Sequence, residues 1–382
     1  MTERESIIAL THFVKFGPAG LKKLYARLGS WHDLWSADSS SLNHAGLDLK
    51  IATEFVAWRT TFNIEHGWKI LDAEKIQIVC ETDDNYPEPL RNISQPPLVL
   101  YYQGKLRNSL WSQALAVVGS RKYTRYGERV IEDLIRPVAR AGITIVSGLA
   151  LGIDALAHQA TLHENGITVG VLGSGLDQNN LYPATNRRLG QAIIDHGGLL
   201  ISEFAPGTPG FKFNFPRRNR IIAGLTQGTL VIEANIKSGS LITANYALDA
   251  NREVMAVPNS IYAESSSGTN HLLQMGAKLV TTSNDILEVL NFDKPLLDPV
   301  LSRVPVLSRV EGEGKSPIEK QNLEPIEQAI LEALRGQEKS INDLTKELKL
   351  DISQINARLS LMEINGLVRS AGPATFTATK RL

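Results

Sequence analysis

Leu115-Ala-Val-Val-Gly-Ser-Arg121 is the stretch that decides the fold. Its first four residues are a short apolar run, and the next three are small or cationic. A helical pattern opens by Tyr126-Gly127. That succession predicts a buried strand running straight into a helix. Small residues at such a turn let backbone N–H groups approach an anion at the helix N-terminus, and an arginine there adds a bidentate phosphate clamp. Taken alone, the loop reads equally well as a tight turn.

Outward from it, the same grammar repeats between about residues 75 and 290. Thr144-Ile-Val146, Thr168-Val-Gly-Val-Leu172, Leu199-Leu-Ile201, Thr229-Leu-Val-Ile232, Val254-Met-Ala-Val257 and Lys278-Leu-Val280 are further strand candidates, separated by segments of crossover-helix length. Short β-branched runs alternating with amphipathic helices predict a largely parallel sheet. Right-handed crossovers then give an α/β, extended Rossmann-like doubly wound sheet with its ligand crevice at the carboxyl ends of the strands. Three more strands lead into small-residue turns: Ser147-Gly148, Gly173-Ser174-Gly175 and Ser238-Gly239-Ser240. Four such turns on one sheet predict a single crevice for an anionic ligand.

Phe211-Lys-Phe-Asn-Phe-Pro-Arg-Arg-Asn-Arg220 carries the most chemistry. One lysine and three arginines interleave with three phenylalanines, and no acidic residue occurs between 204 and 232. Bases stack on rings while cations hold phosphates, the pairing that single-strand binding uses. Read as a strand, the segment would put its alternate phenylalanines on one face and Lys212 and Asn214 on the other. The competing reading is three core phenylalanines beside a solvated basic face.

Val118-Gly-Ser-Arg121, Tyr126-Gly127, Ser147-Gly-Leu-Ala150, Gly152-Ile-Asp154, Ala157-His158, Tyr182-Pro183, Asn186, Ser202-Glu203, Phe215-Pro216, Arg218-Asn-Arg-Ile-Ile-Ala-Gly224, Glu233-Ala234, Ser238-Gly-Ser-Leu241 and Ala256-Val-Pro258 follow one another in order. Together they resemble the DNA-processing protein A family, also called DprA or Smf, over about residues 80 to 290. The resemblance implies a protein of natural transformation that binds single-stranded DNA, protects incoming strands and helps load the RecA recombinase. It also implies a homodimer with no catalytic residues of its own. Arg121, Lys212, Arg218, Asn219, Arg220 and the Ser238-Gly239-Ser240 turn fall on family positions that line the strand-binding pocket.

Gly119, Ser120, Gly148, Phe215 and Lys237 complete the candidate DNA-binding set. Lys122, Arg187, Arg188 and Arg217 are basic neighbours by charge and proximity only. The expected arrangement puts one phosphate in the Gly119-Ser120-Arg121 turn and others on Lys212, Arg218 and Arg220. Asn219 would bond sugar, phosphate or base, and either Phe213 or Phe215 would stack a base. One position departs from the family pattern: Asn259 stands where glycine usually follows Ala-Val-Pro. Asparagine tolerates a positive φ, so the turn should survive.

Two other function classes compete. A nucleotide phosphoribohydrolase-like enzyme would use Asp154, Glu203 or Glu233 as acid and base, and Gln227-Gly-Thr229 through Glu233 faintly echoes that group's motif. Its Pro-Gly-Gly lead is absent, so the expectation is no enzyme and no cofactor. His158 and His163, five residues apart, share no helix face and predict no metal site. Tyr246 reads as a packing residue rather than a nicking nucleophile. A winged-helix regulator with a phosphometabolite-sensing sheet would need a cationic third helix, yet Arg358 stands alone between Ile352 and Asn365.

At 382 residues the chain is too long for one core. Residues 1–70 read as a small helical domain in which Gly20-Leu-Lys-Lys-Leu-Tyr25 suggests either a helix-hairpin-helix-like DNA contact or plain packing. Residues 291–324 read as a linker and 325–382 as a winged helix. Forty basic residues balance forty acidic ones, so any DNA site must be a local patch. Without an apolar run of membrane length or a signal-like N-terminus, a soluble cytoplasmic protein with no membrane contact is expected. Cys80, the single cysteine, follows the apolar run at 76–79 and reads as a core residue.

Overall fold

The structure is a computed structural model. It describes residues 1–292 and most of 325–378, leaving out 335–336, 349, 353–354, 356–357, 360–361, 364–366 and 373–374. The chain divides into two compact units, Met1–Arg303 and Val304–Leu382. Nearly all of the expected linker lies outside the described residues.

The first unit is built on one nine-stranded sheet. Its strands are β1 (Gln77–Cys80), β2 (Val99–Gly104), β3 (Ala114–Val118), β4 (Thr144–Ser147), β5 (Thr168–Leu172), β6 (Leu199–Ser202), β7 (Gly228–Val231), β8 (Glu253–Ala256) and β9 (Lys278–Leu279). Their spatial order is β1-β2-β6-β5-β4-β3-β7-β8-β9, and the seven strands from β6 to β9 run parallel. Every residue of β3, β4, β5 and β6 is buried, as expected of parallel strands covered on both faces. From β3 the chain winds outward through β4, β5 and β6, then returns to lay β7 on the other side of β3. The switch point between β3 and β7 is where such a sheet opens a crevice.

All seven parallel strands coincide with the sequence candidates to within a residue or so. The antiparallel pair β1 and β2, added at the β6 edge, was not anticipated. No crossover helix joins these two strands, so the strand–helix alternation does not reach them. Cys80 is buried within β1.

Six helices precede the sheet: Glu3–Thr11, Pro18–Leu28, Trp31–Ser36, Ser39–His44, Leu49–Thr61 and Ile64–Ala73. Thr2, Ser30, Asp38, Asp48 and Asn63 cap five of them with side-chain acceptors. Phe13, Phe16 and Phe55 share one hydrophobic cluster with Tyr101 of β2 and Leu200 of β6, so the helices pack on the sheet's own core. Leu21 and Leu24 are buried there, and Lys22 pairs with Glu81 at 2.7 Å. The Gly20-to-Tyr25 segment thus spends its leucines and one lysine on packing.

In the second unit, helices Pro325–Ala333 and Ile341–Leu348 and the helical residues Ile355, Leu359 and Met362 bury one small core. A three-stranded antiparallel sheet of Lys339–Ser340, Thr375–Ala378 and Val368–Gly372 completes a winged helix. Arg358, the cation of the third helix, lies 3.5 Å from Glu327.

Candidate nucleic-acid interface

At the switch point a crevice of about 1210 Å³ opens over the carboxyl ends of β3 and β7. The turn after β3 supplies Gly119, Ser120, Arg121 and Lys122, and the turn after β7 supplies Lys237, Ser238, Gly239 and Ser240. Phe215, Arg218, Asn219 and Ile222 come from the helix Asn214–Gly224, and Lys212 from the loop before it. Five cationic side chains, Arg121, Lys122, Lys212, Arg218 and Lys237, line the crevice against the carboxylates of Asp154 and Glu264. A chain with no net charge thereby concentrates positive charge in one concavity.

The basic-aromatic stretch is not a strand. Phe211 to Phe213 form a loop and a helix starts at Asn214. Helical spacing then sorts the side chains: 215, 218, 219 and 222 fall on one face and meet the crevice, with Pro216 at its margin. Asn214 and Arg217 fall on another and line a separate small cavity of about 40 Å³ beside Glu203 and the N-terminal helices. Arg220, two residues from Arg218 and so roughly 200° around the helix, does not reach the crevice. It is buried and pairs with Glu203 at 2.5 Å. The expectation of Arg220 as a phosphate clamp is corrected on this ground.

Arg218 is buried at 4% exposure, forming the floor of the crevice. One terminal nitrogen donates to the carbonyl of Gly148 at 2.7 Å and to that of Val171, and Nε donates to Asn219 Oδ1 at 3.1 Å. Burial, joined by the like charge of Arg121, brings its pKa down to about 10 against the opposing pull of Asp154. Asp154, raised above the usual carboxylate range by burial, accepts from the Gly148 N–H at 3.1 Å. A Cβ on Gly148 would stand 2.6 Å from Asp154 and 2.7 Å from Arg218, which is why this turn needs glycine. Asn186 pins the same turn by donating to the carbonyls of Leu149 and Ala150 at 2.9 and 3.1 Å.

Arg121 is exposed, with its guanidinium 5.3 Å from the centre of the Phe215 ring. Tyr182 packs against the same ring at 5.4 Å. The turn at Gly173 does not join the crevice, because Phe215 covers it: a Cβ on Gly173 would meet that ring at 2.7 Å. The Gly119 and Ser238 turns therefore line the crevice, the Ser147-Gly148 turn reaches it only through Ala150, and the fourth is closed off. Gly148 itself is buried with its N–H and carbonyl spent on Asp154 and Arg218, which corrects the expectation that it contacts DNA.

After β3, Thr124 caps the helix Arg125–Val130. The buried carboxylate of Glu233 accepts from the Thr124 N–H and hydroxyl, so the anion position at this helix start is filled from within the chain. The helix Gly239–Asp249 begins differently. Ser238 caps it through its hydroxyl, which accepts from the Ser240 N–H at 3.3 Å, and open space surrounds Gly239 where a Cβ would stand. An anion can approach the backbone there.

The carboxylates weighed as an acid and base all have structural partners: Asp154 with the Gly148 turn, Glu203 with Arg220, and Glu233 with Thr124. His158 is fully buried, bonded through Nδ1 to the Thr168 hydroxyl at 2.6 Å, and burial drops its pKa to about 3. Tyr246 packs against the sheet's core. Asn259 is not among the residues with positive φ; it holds Asn270 through backbone–side-chain bonds instead, so the expected left-handed turn is not used. Among the described residues no cluster of three or more His, Cys, Asp or Glu side chains is placed to hold a metal ion. No described helix is long and apolar enough to cross a membrane.

An extended Rossmann-like sheet with a cationic crevice at its switch point, joined to a winged helix, defines a class of DNA-processing proteins. The chain belongs to the DNA recombination-mediator protein A family, whose model matches residues 77–291, and a DprA winged-helix model matches 315–372. Protein Smf of Synechocystis is 35% identical over 374 residues, covering 92% of this chain and 93% of the relative. Protein Smf of Escherichia coli is 42% identical over 255 residues, 67% of each chain. The X-ray structure of DprA from Streptococcus pneumoniae superposes with a TM-score of 0.62 at 35% identity, covering 75% of this chain and 98% of that one. DNA processing protein A from Helicobacter pylori, described for its unique single-stranded DNA binding mode, gives a TM-score of 0.51 at 28% identity, covering 58% and 98%.

Proposed function

We propose that this protein binds single-stranded DNA along the crevice between the β3 and β7 turns and performs no chemistry of its own. The observation that carries the proposal is the ring of five cations around the switch-point crevice. Arg121, Lys122, Lys212 and Lys237 hold phosphates at the rim, and Arg218 sets the floor's potential while fixing the Gly148 turn. Gly239 offers open backbone to the same strand, Gly119, Ser120, Ser238 and Ser240 line its path, and Asn219 hydrogen-bonds it. Contacts of this kind read little sequence.

The family's DNA-processing role supports placing the protein in natural transformation, where it shields incoming strands in the cytoplasm and helps load RecA. Two copies in a dimer would span a longer strand and gain affinity through effective concentration. The winged helix, with Arg358 tied up by Glu327, serves as a protein contact or an auxiliary DNA contact. The catalytic alternative is disfavoured because Asp154, Glu203 and Glu233 are already engaged.

Fluorescence anisotropy with a labelled poly-dT strand and a duplex of equal length tests the proposal. Preferential single-strand binding is expected. No binding, or a preference for duplex, would return the nucleotide-enzyme and regulator readings to the front.

A further inference from the structure

Phe211 and Phe213 lie outside the crevice lining, and neither belongs to a hydrophobic core. Their rings stack face to face, with centroids 5.3 Å apart and planes inclined by 9°. Yet both remain open to solvent, at 40% and 53% exposure. The turn that carries them is closed by two backbone bonds of 2.9 Å, Phe211 N–H to Pro209 O and Asn214 N–H to Phe211 O. Lys212, between them, lines the crevice. Nothing in the fold accounts for two exposed rings held parallel beside a phosphate-binding lysine, and no acidic side chain from 204 to 232 opposes an anion there.

Phe215, the other aromatic of the stretch, already contacts Arg121 and Tyr182. From this we infer that the Phe211–Phe213 stack is a base platform: an unstacked nucleobase adds to the open face of Phe213 while the neighbouring phosphate meets Lys212. The two rings are in contact and leave no slot between them, so the base extends the stack rather than entering it. A duplex, whose bases are paired and stacked internally, gains nothing from such a surface, so the platform favours single strands. The inference rests on the proposed single-strand binding and adds a base-recognition subsite to it.

The test compares a short dT oligonucleotide with an abasic strand of the same length and charge. Wild-type protein should prefer the dT strand. Phe213→Ala should weaken dT binding about tenfold, as about 1.4 kcal/mol of base stacking gives, leave abasic binding unchanged, and leave the salt slope on both strands unchanged. Phe213→Trp should restore the preference, and Phe211→Ala should reduce it. An exposed ring can be removed without unfolding the domain, and an unchanged melting temperature checks that. Equal weakening on both strands, or none on either, overturns the platform while leaving the phosphate crevice standing. Wild-type protein that binds neither strand overturns the crevice and the platform together.

Discussion

Glu233 holds Thr124 at two points: the threonine N–H donates to Oε2 at 2.9 Å and its hydroxyl to Oε1 at 2.6 Å. Glu233 follows β7, whereas Thr124 closes the turn that follows β3, so one buried carboxylate ties together the two sides of the crevice mouth. Ser120 N–H adds a bond to the Glu233 carbonyl at 2.7 Å. The turn that presents Arg121 is therefore fixed before any ligand arrives.

Removing that tie should cost both stability and binding. Glu233→Ala leaves the Thr124 donors without their partner, at about 1–3 kcal/mol, and frees Arg121 to wander. Both melting temperature and single-strand affinity should fall, with Glu233→Gln retaining more of each. Wild-type values for the alanine variant in thermal melting and anisotropy would contradict the assignment.

Arg220 should behave as a structural residue. Replacing it with methionine strands Glu203 as a buried charge, at about 3–5 kcal/mol, whereas pairing it with Glu203→Leu should recover most of the loss. Denaturant titration of the two variants reads this directly. The double variant should keep the wild-type salt slope for DNA; a shallower slope would put Arg220 back among the phosphate ligands.

Much of this was legible in the residues because most of the parallel strands are short apolar runs, and β3 to β6 end in or run straight into glycine or serine. The error at 211–220 came from choosing the wrong period. Alternating phenylalanines suggested a strand, but the helical spacing of 215, 218, 219 and 222 already marked one face and set Arg220 apart. The role of Glu233 was hidden for a different reason. Its partner lies 109 residues earlier in the chain, and no local pattern pairs them. β1 and β2 were missed because antiparallel strands added at a sheet edge carry no crossover signal.

Acid should destabilise the fold through His158. Its pKa of about 3 in the fold lies below the unfolded value of 6.5, so between those values only the unfolded chain takes up the proton. Stability should fall as pH drops through that window, by up to about 1.4 kcal/mol per unit from this one group. His12, also lowered by burial, acts in the same direction. Glu164, lowered to about 2 by Arg140 and Arg136, adds its own loss below pH 4.5. Chemical denaturation at pH 6.5 and pH 5 should show a smaller drop for His158→Gln than for wild type. Equal drops would mean that His158 is not held neutral.

The rim cations should divide the salt dependence among themselves. Lys212→Ala and Lys237→Ala should each flatten the plot of log affinity against log salt by about 0.7–1 unit, with little change in melting temperature. A steep loss of stability in either variant would move that lysine from the ligand to the scaffold.

The most direct measurement is the affinity of the wild type and Arg121→Ala for a poly-dT strand across a salt series. Arg121→Ala should bind more weakly at low salt, with a slope shallower by about one unit and a curve that converges on the wild type as salt rises. Superimposed curves would show that Arg121 touches no phosphate and that the switch-point crevice is not where the strand lies.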